Sequence, residues 1–271
     1  MRSARTIGTV AVNVFRESVR DKVLYNLVVF AVLLMSASYL IGELTAGQDV
    51  KIIKDLGLAS ISVFGLLIAV FIGIGLVWKE VDKRSIYTLL SKPMRRQEFL
   101  LGKYFGLVLT LFINVAVMTI AYYAVLAYMQ AISPPNLRAS WPAPATDPAL
   151  LTAIGLIMLE LMLVTAIALL FSTFSSPFLS AMLTIAVWVI GHFNQDLRDY
   201  GATIPSPLAA AIARGVYYVI PNFSVFDVKL QVVHAQAVPA GYIGLTTAYG
   251  VTYIALVLTA AAIVFSKRDF K

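Results

Sequence analysis

The chain has 271 residues, 60% of them apolar and only 13% charged, and carries a net charge of +7. A water-soluble domain of this size cannot bury so much apolar surface, so part of its solvent is lipid. A soluble enzyme, a disordered regulator and a nucleic-acid-binding module are excluded, and the basic excess points to membrane orientation rather than to a polyanionic partner.

The sequence predicts an all-α membrane protein folded as one transmembrane domain. Residues 6–21 come first. Ile7, Val10, Ala11, Val14, Phe15 and Val19 recur at helical spacing, while Thr9, Asn13, Arg16, Glu17 and Arg20 take the other side. This predicts an amphipathic helix lying in the plane of the membrane interface, in contact with lipid. A cytoplasmic extension of the first span is the alternative. Charge-poor runs of about the ~20 residues that a span needs follow at 23–42, 56–78, 104–129, 150–172, 178–194 and 242–265. The segment ahead of the first run contains Glu17 and Asp21, unlike a signal peptide, so that run is expected to be a retained anchor.

Within the second run, Gly65, Ala69 and Gly73 place small residues four apart, a spacing that lets helices approach closely. It fits packing inside the bundle or a homodimer seam. Residues 172–177 form a hydroxyl-rich turn ending in a proline, between runs four and five. Residues 133–148 hold Pro134, Pro135, Pro142, Pro144 and Pro148 with Trp141, and are expected to be irregular or polyproline-like. Residues 208–220 are apolar but too short to cross. They contain Arg214 and are bracketed by Pro205, Pro207 and Pro221, which predicts short helices at or dipping into the outer interface.

Six spans put both termini on one side. The N-terminal segment, the 79–103 loop and the C-terminal tail hold most of the 21 basic residues. Lys51, Lys54, Arg138, Arg198, Arg214 and Lys229 fall on the other side. The positive-inside rule places the termini and the long loop in the cytoplasm, in a plasma (inner) membrane.

Catalytic and cofactor motifs are absent from the sequence. There is no cysteine, which removes disulfides and thiolate metal sites. No phosphate-binding loop is present: Gly102 and Lys103 come nearest, but position 97 is Gln. His192 and His234 are the two histidines, and they do not form a zinc motif. Neither a catalytic residue, nor a bound cofactor, nor a metal is expected. Glu160 is the one acid inside a run, which excludes an aspartyl dyad. It reads either as a polar contact in a transport path or as a carboxyl bonded to a neighbouring helix. His192 and Asn194 end the fifth run beside Asp196 and read as an interfacial polar cluster.

The 79–103 loop is the most informative stretch. Its first half suits a short helix, with Glu80 and Arg84 at a favourable i, i+4 spacing. Ser91, Lys92 and Pro93 break it and start the next helix. Asp82, Lys83 and Arg84 add charge; Ile86, Tyr87, Leu89 and Leu90 form an apolar set. Such a loop either fixes topology by charge or docks on a cytoplasmic protein.

Glu80, together with the stretch 88–103 bearing Thr88, Leu89, Leu90, Lys92, Pro93, Arg95, Arg96, Glu98, Gly102 and Lys103, resembles the signature of ABC-2 type transporter permeases. It is most similar to their NosY-like, or multicopper-enzyme-maturation, branch. Residues 13–22, 171–174 and 265–270 resemble that branch too, while Ser85 stands near where many relatives have glycine. The resemblance implies a homodimer of this chain above two copies of a separate ABC ATPase subunit, which would bind ATP and Mg while this chain binds no cofactor. It makes 79–90 the coupling helix, with Glu80, Asp82, Lys83, Arg84, Ile86, Tyr87, Thr88, Leu89 and Leu90 as its ATPase contacts. ATPase closure would then switch the paired bundles between inward- and outward-facing states, with spans one, two and five lining the path. Two functions fit: an exporter of an unknown substrate, or a non-transporting scaffold that transmits force to an outer-side accessory protein. Trp141 with its prolines, or residues 195–241, would dock such a partner.

Overall fold

The computed structural model describes residues 2–20, 22–43, 49–82, 96–194 and 207–267. Among these no residue is in a strand. Helix is the form in which an apolar segment satisfies its own backbone in lipid. The helices are α1 (Arg2–Ser18), α2 (Lys22–Glu43), α3 (Asp49–Asp82), α4 (Arg96–Ile132), the short α5 (Pro135–Ala139), α6 (Ala149–Ser172), α7 (Pro177–His192), α8 (Pro207–Val219), α9 (Lys229–Val233) and α10 (Ala240–Lys267). A 3-10 turn at Ser224–Phe226 lies between α8 and α9.

Four of them are long and apolar enough to cross a membrane: Val50–Ile74 in α3, Gln97–Ile132 in α4, α6, and α10. Two others are apolar but shorter, Leu24–Ser38 in α2 and the 16 residues of α7. At 1.5 Å per residue α7 is about 24 Å long, less than the ~30 Å of a hydrocarbon core. Local chemistry sets where it starts. Ser176 caps it by accepting from the Leu179 amide, and Pro177 occupies the first turn, where its missing N–H costs nothing.

The core is organised around α3 and α6. Helix α3 packs on α2, α4, α6 and α7, and α6 packs on α3, α4, α7 and α10. On α4 the buried stripe runs Leu100, Tyr104, Leu107, Leu111, Val115, Met118, Tyr122, Leu126 and Met129, the alternating three- and four-residue steps of one helix face. Its other faces carry exposed Phe105, Leu109, Phe112, Val117 and Ile120. On α3 a Cβ at Gly65 would strike the Leu161 side chain of α6, and one at Gly73 would lie 2.9 Å from the Ala168 Cβ. The small-residue stripe is therefore filled by α6 of the same chain and is not free for a homodimer seam.

Helix α1 rests its apolar side on the start of α4. A Cβ at Gly102 would lie 2.6 Å from the Val10 Cβ, and one at Gly106 would lie 2.6 Å from the Ala11 carbonyl. The glycines let the two backbones meet. Val14 is buried there, while Thr9, Asn13, Arg16, Glu17 and Arg20 are exposed. The side of α1 read from sequence as lipid-facing is thus largely covered by protein. Phe265, near the end of α10, stacks on Phe99 at 6.2 Å. Helix α1, the start of α4 and the end of α10 share one end of the bundle, called here the terminal end.

The far end carries the proline-rich segment 133–148, which is tied down at several points. Lys54 donates to the Pro144 carbonyl at 2.8 Å, Tyr123 donates to the Asp147 carbonyl at 3.0 Å, and the Thr146 amide donates to Gln130 Oε1 at 3.3 Å. Helix α3 begins at Asp49, ahead of the apolar run at 56, and so takes Lys51 and Lys54 into the helix. Lys54 is 1% exposed. A lysine placed from sequence only by the side on which it falls is a buried strut, because a carbonyl stands in for the water its ammonium gives up.

Candidate functional site

Two places concentrate the residues singled out from sequence. The first is the terminal end. Glu80 and Asp82 lie in the last turn of α3, and Arg96 opens α4. Lys83, Arg84, Ile86, Tyr87, Thr88, Leu89, Leu90, Lys92, Pro93 and Arg95 fall outside the described residues. Helix α3 leads into this segment and α4 leads out of it. Glu98 lies in the first turn of α4, where the helix dipole favours an acid. Gly102 and Lys103 sit inside the helix, with Val10 of α1 over the glycine. The pair that most resembled a phosphate-loop fragment is therefore a packing contact with no open cradle. Lys103 is 1% exposed, and its ammonium lies 5.1 Å from the Phe99 ring centroid, a cation–π approach.

The second place is a polar cluster inside the bundle. Glu160 of α6 is buried at 2% exposure and accepts a 2.7 Å hydrogen bond from Trp188 Nε1 of α7. One turn on, His192 Nδ1 lies 3.1 Å from the Trp188 carbonyl. A carbonyl only accepts, so Nδ1 carries a proton and Nε2 is turned toward Glu160 Oε1, 3.6 Å away. The imidazole also lies parallel to the Phe223 ring, at 5.9 Å and 7°. Glu160 is thus bonded to a neighbouring helix, and it lies beside His192, whose ring stacks on the segment that follows α8. Asp227 and Lys229, 3.5 Å apart, are charged groups whose fields reach the cluster.

That segment, 221–233, is pressed into the far end. Phe223 and Phe226 are fully buried, as are Val232 and Val233 of α9. Gly191 makes room for it, since a Cβ there would lie 2.5 Å from the Pro221 carbonyl. The Phe223 amide donates to the Gly191 carbonyl at 3.0 Å. From α10, Tyr249 Oη accepts from the Asn222 amide at 2.7 Å, and Tyr242 donates to the Val225 carbonyl at 2.6 Å.

Two features work against this arrangement. Asn194, 2% exposed, donates through Nδ2 to the Ile220 carbonyl at 2.9 Å, yet its Oδ1 is buried without a partner. An orphaned acceptor costs about 1–3 kcal/mol. Ala235 has a φ of 56°. It closes α9 in a Schellman arrangement, with Gln236 N–H donating to the Gln231 carbonyl and Ala235 N–H to the Val232 carbonyl. Glycine is the usual residue there, and a Cβ in this region costs about 1–2 kcal/mol.

Sequence reasoning found Glu160, His192 and Asn194 but not Trp188, Phe223, Asn222, Tyr242 or Tyr249. Trp188, one helical turn before His192, was the available signal. Among the described residues no three acidic or histidine side chains come together as a metal site.

The chain matches the family model described as ABC-2 family transporter protein over residues 9–270. Comparison with curated proteins finds no match. The chain belongs to the ABC-2 family of transporter proteins and is a membrane-embedded, multi-pass protein of that kind.

Proposed function

We propose that this ABC-2 family member is the permease subunit of an exporter, and that it works as a homodimer driven by two copies of a separate ABC ATPase subunit. The match over residues 9–270, nearly the whole chain, carries this reading. Members of the family generally work with an ABC ATPase, and no nucleotide-binding loop occurs in this sequence. Within the family the 88–103 motif favours the NosY-like branch. In this reading α2 and α7 complete six crossings, the terminal end faces the cytoplasm of a plasma-membrane protein, and 79–90 is the coupling helix.

A second reading is that the chain transmits force to an outer-side partner without moving a solute. The bonding of Glu160 favours it. The one acid inside the apolar runs is held by Trp188 within the chain, where a transport path would have it free to meet cargo.

The test is co-expression with the cognate ATPase. The permease reading expects a complex of two copies of each chain and no ATP hydrolysis by this chain alone. Nucleotide turnover by the isolated chain, or a failure to associate, would overturn it.

A further inference from the structure

The far-end segment 221–233 is neither a loose loop nor a continuous part of the bundle. It lies between Pro221 and the strained Ala235, and buries two phenylalanines together with Val232 and Val233 of α9, which packs against α3 and α6. Beside the two α10 tyrosines, a chain of side chains ties it to α6 and α7: Glu160 on α6, Trp188 and His192 on α7, and Phe223 in the segment itself. The Glu160–Trp188 bond joins α6 to α7. It fixes the indole, whose own backbone carbonyl orients the imidazole that stacks on Phe223.

We propose that Glu160, Trp188, His192 and Phe223 form a latch that holds segment 221–233 shut against α6 and α7, and that releasing the latch lets this segment lift from the far end of the bundle. The closed state carries visible counterweights. Asn194 Oδ1 is buried without a partner, and Ala235 is in the left-handed region. Movement of the segment would hydrate the first, and unwinding of the end of α9 as it lifts would relax the second. A state held by a few specific contacts against stored cost has a second state within reach. Trp188 and Glu160 act here as positioning residues. The latch is a property of this chain itself, so it goes beyond the permease reading and does not depend on it.

The test uses the full chain, which has no native cysteine. Val232→Cys places a thiol at a position 1% exposed in the segment, and Ala145→Cys places one at a fully buried position in 133–148. Labelling by a thiol reagent then reports how often each site opens. Glu160→Leu removes the acceptor but leaves an apolar side chain suited to the bundle, and should speed labelling at Val232→Cys by roughly tenfold. Glu160→Gln keeps a carbonyl oxygen for the Trp188 N–H and should stay near the parent rate. Trp188→Phe breaks the same bond from the other side, so its effect should not add to that of Glu160→Leu. Labelling at Ala145→Cys should remain slow throughout. An unchanged rate in Glu160→Leu, equal rates in the Leu and Gln variants, additive effects of the two bond-breaking changes, or loss of protection at Ala145→Cys would each overturn the latch.

Discussion

The ammonium of Lys54 donates a 2.8 Å hydrogen bond to the carbonyl of Pro144, joining the far end of α3 to the proline-rich segment. Tyr122 of α4 reinforces the joint by donating to the Lys54 carbonyl at 3.0 Å. Lys54→Met keeps the stem and removes the donor, leaving Pro144 without this bond. Thermal unfolding should show a loss of about 1–3 kcal/mol, and limited proteolysis should cut 133–148 faster. Lys51→Met, at a half-buried neighbour, should do neither.

Gly102 brings α1 and α4 into contact. Gly102→Ala puts a methyl 2.6 Å from the Val10 Cβ, so α1 must shift. The expected cost is about 1–3 kcal/mol. Val10→Ala in the same chain removes the Cγ1 that the new methyl would meet at 2.8 Å, though not the Cβ, and should recover part of the cost. Additive losses in the double variant would place the strain elsewhere.

Ala235→Gly should raise stability, by about 1 kcal/mol, since the left-handed position penalises a Cβ. Chemical denaturation in detergent reads this directly. A loss would mean that the wider freedom of glycine in the unfolded chain outweighs the relief at φ 56°.

The positive-inside rule and the proposed six crossings place the two ends of the bundle on opposite sides of the membrane. Single cysteines at Lys83, Arg95 and Lys271 should resist an impermeant thiol reagent in intact cells, while those at Ser140 and Gln236 should be labelled. Labelling at position 271 without permeabilisation would contradict six crossings.

Hydropathy made the helical membrane class legible, and the 88–103 motif together with shorter stretches made the family legible. Which side of each helix faces inward was not legible. On α4 the buried Leu111 and Met118 and the exposed Phe112 and Ile120 are all apolar, because lipid replaces water on the outer face. Residues 178–194 read as one more span, and α7, Pro177–His192, occupies that run with 16 residues. Charge gave no sign of the burial of Lys54, whose partner is a backbone carbonyl contributed by a residue 90 positions away. The same limit hid the Glu160 cluster. Glu160 stood out because acids are rare at membrane depth, but Trp188 and Phe223 look like ordinary lipid-facing aromatics until α7 and the 221–233 segment are folded onto α6.

The central claim is that the segment after α3 couples this chain to an ATPase, and the pair Tyr87 and Leu89 tests it most directly. Changing both to Ala leaves every charge of the 79–103 loop in place, so insertion and orientation should survive. A helix seated in a protein groove depends on such anchors, each commonly worth more than ~1 kcal/mol. The measurement is the yield of co-purified cognate ATPase and its ATP turnover, with Lys51→Ala at the far end as control. The account predicts a sharp fall in both for the double variant and none for the control. Normal yield and turnover in the double variant would contradict it and leave the loop as a charge signal for topology alone.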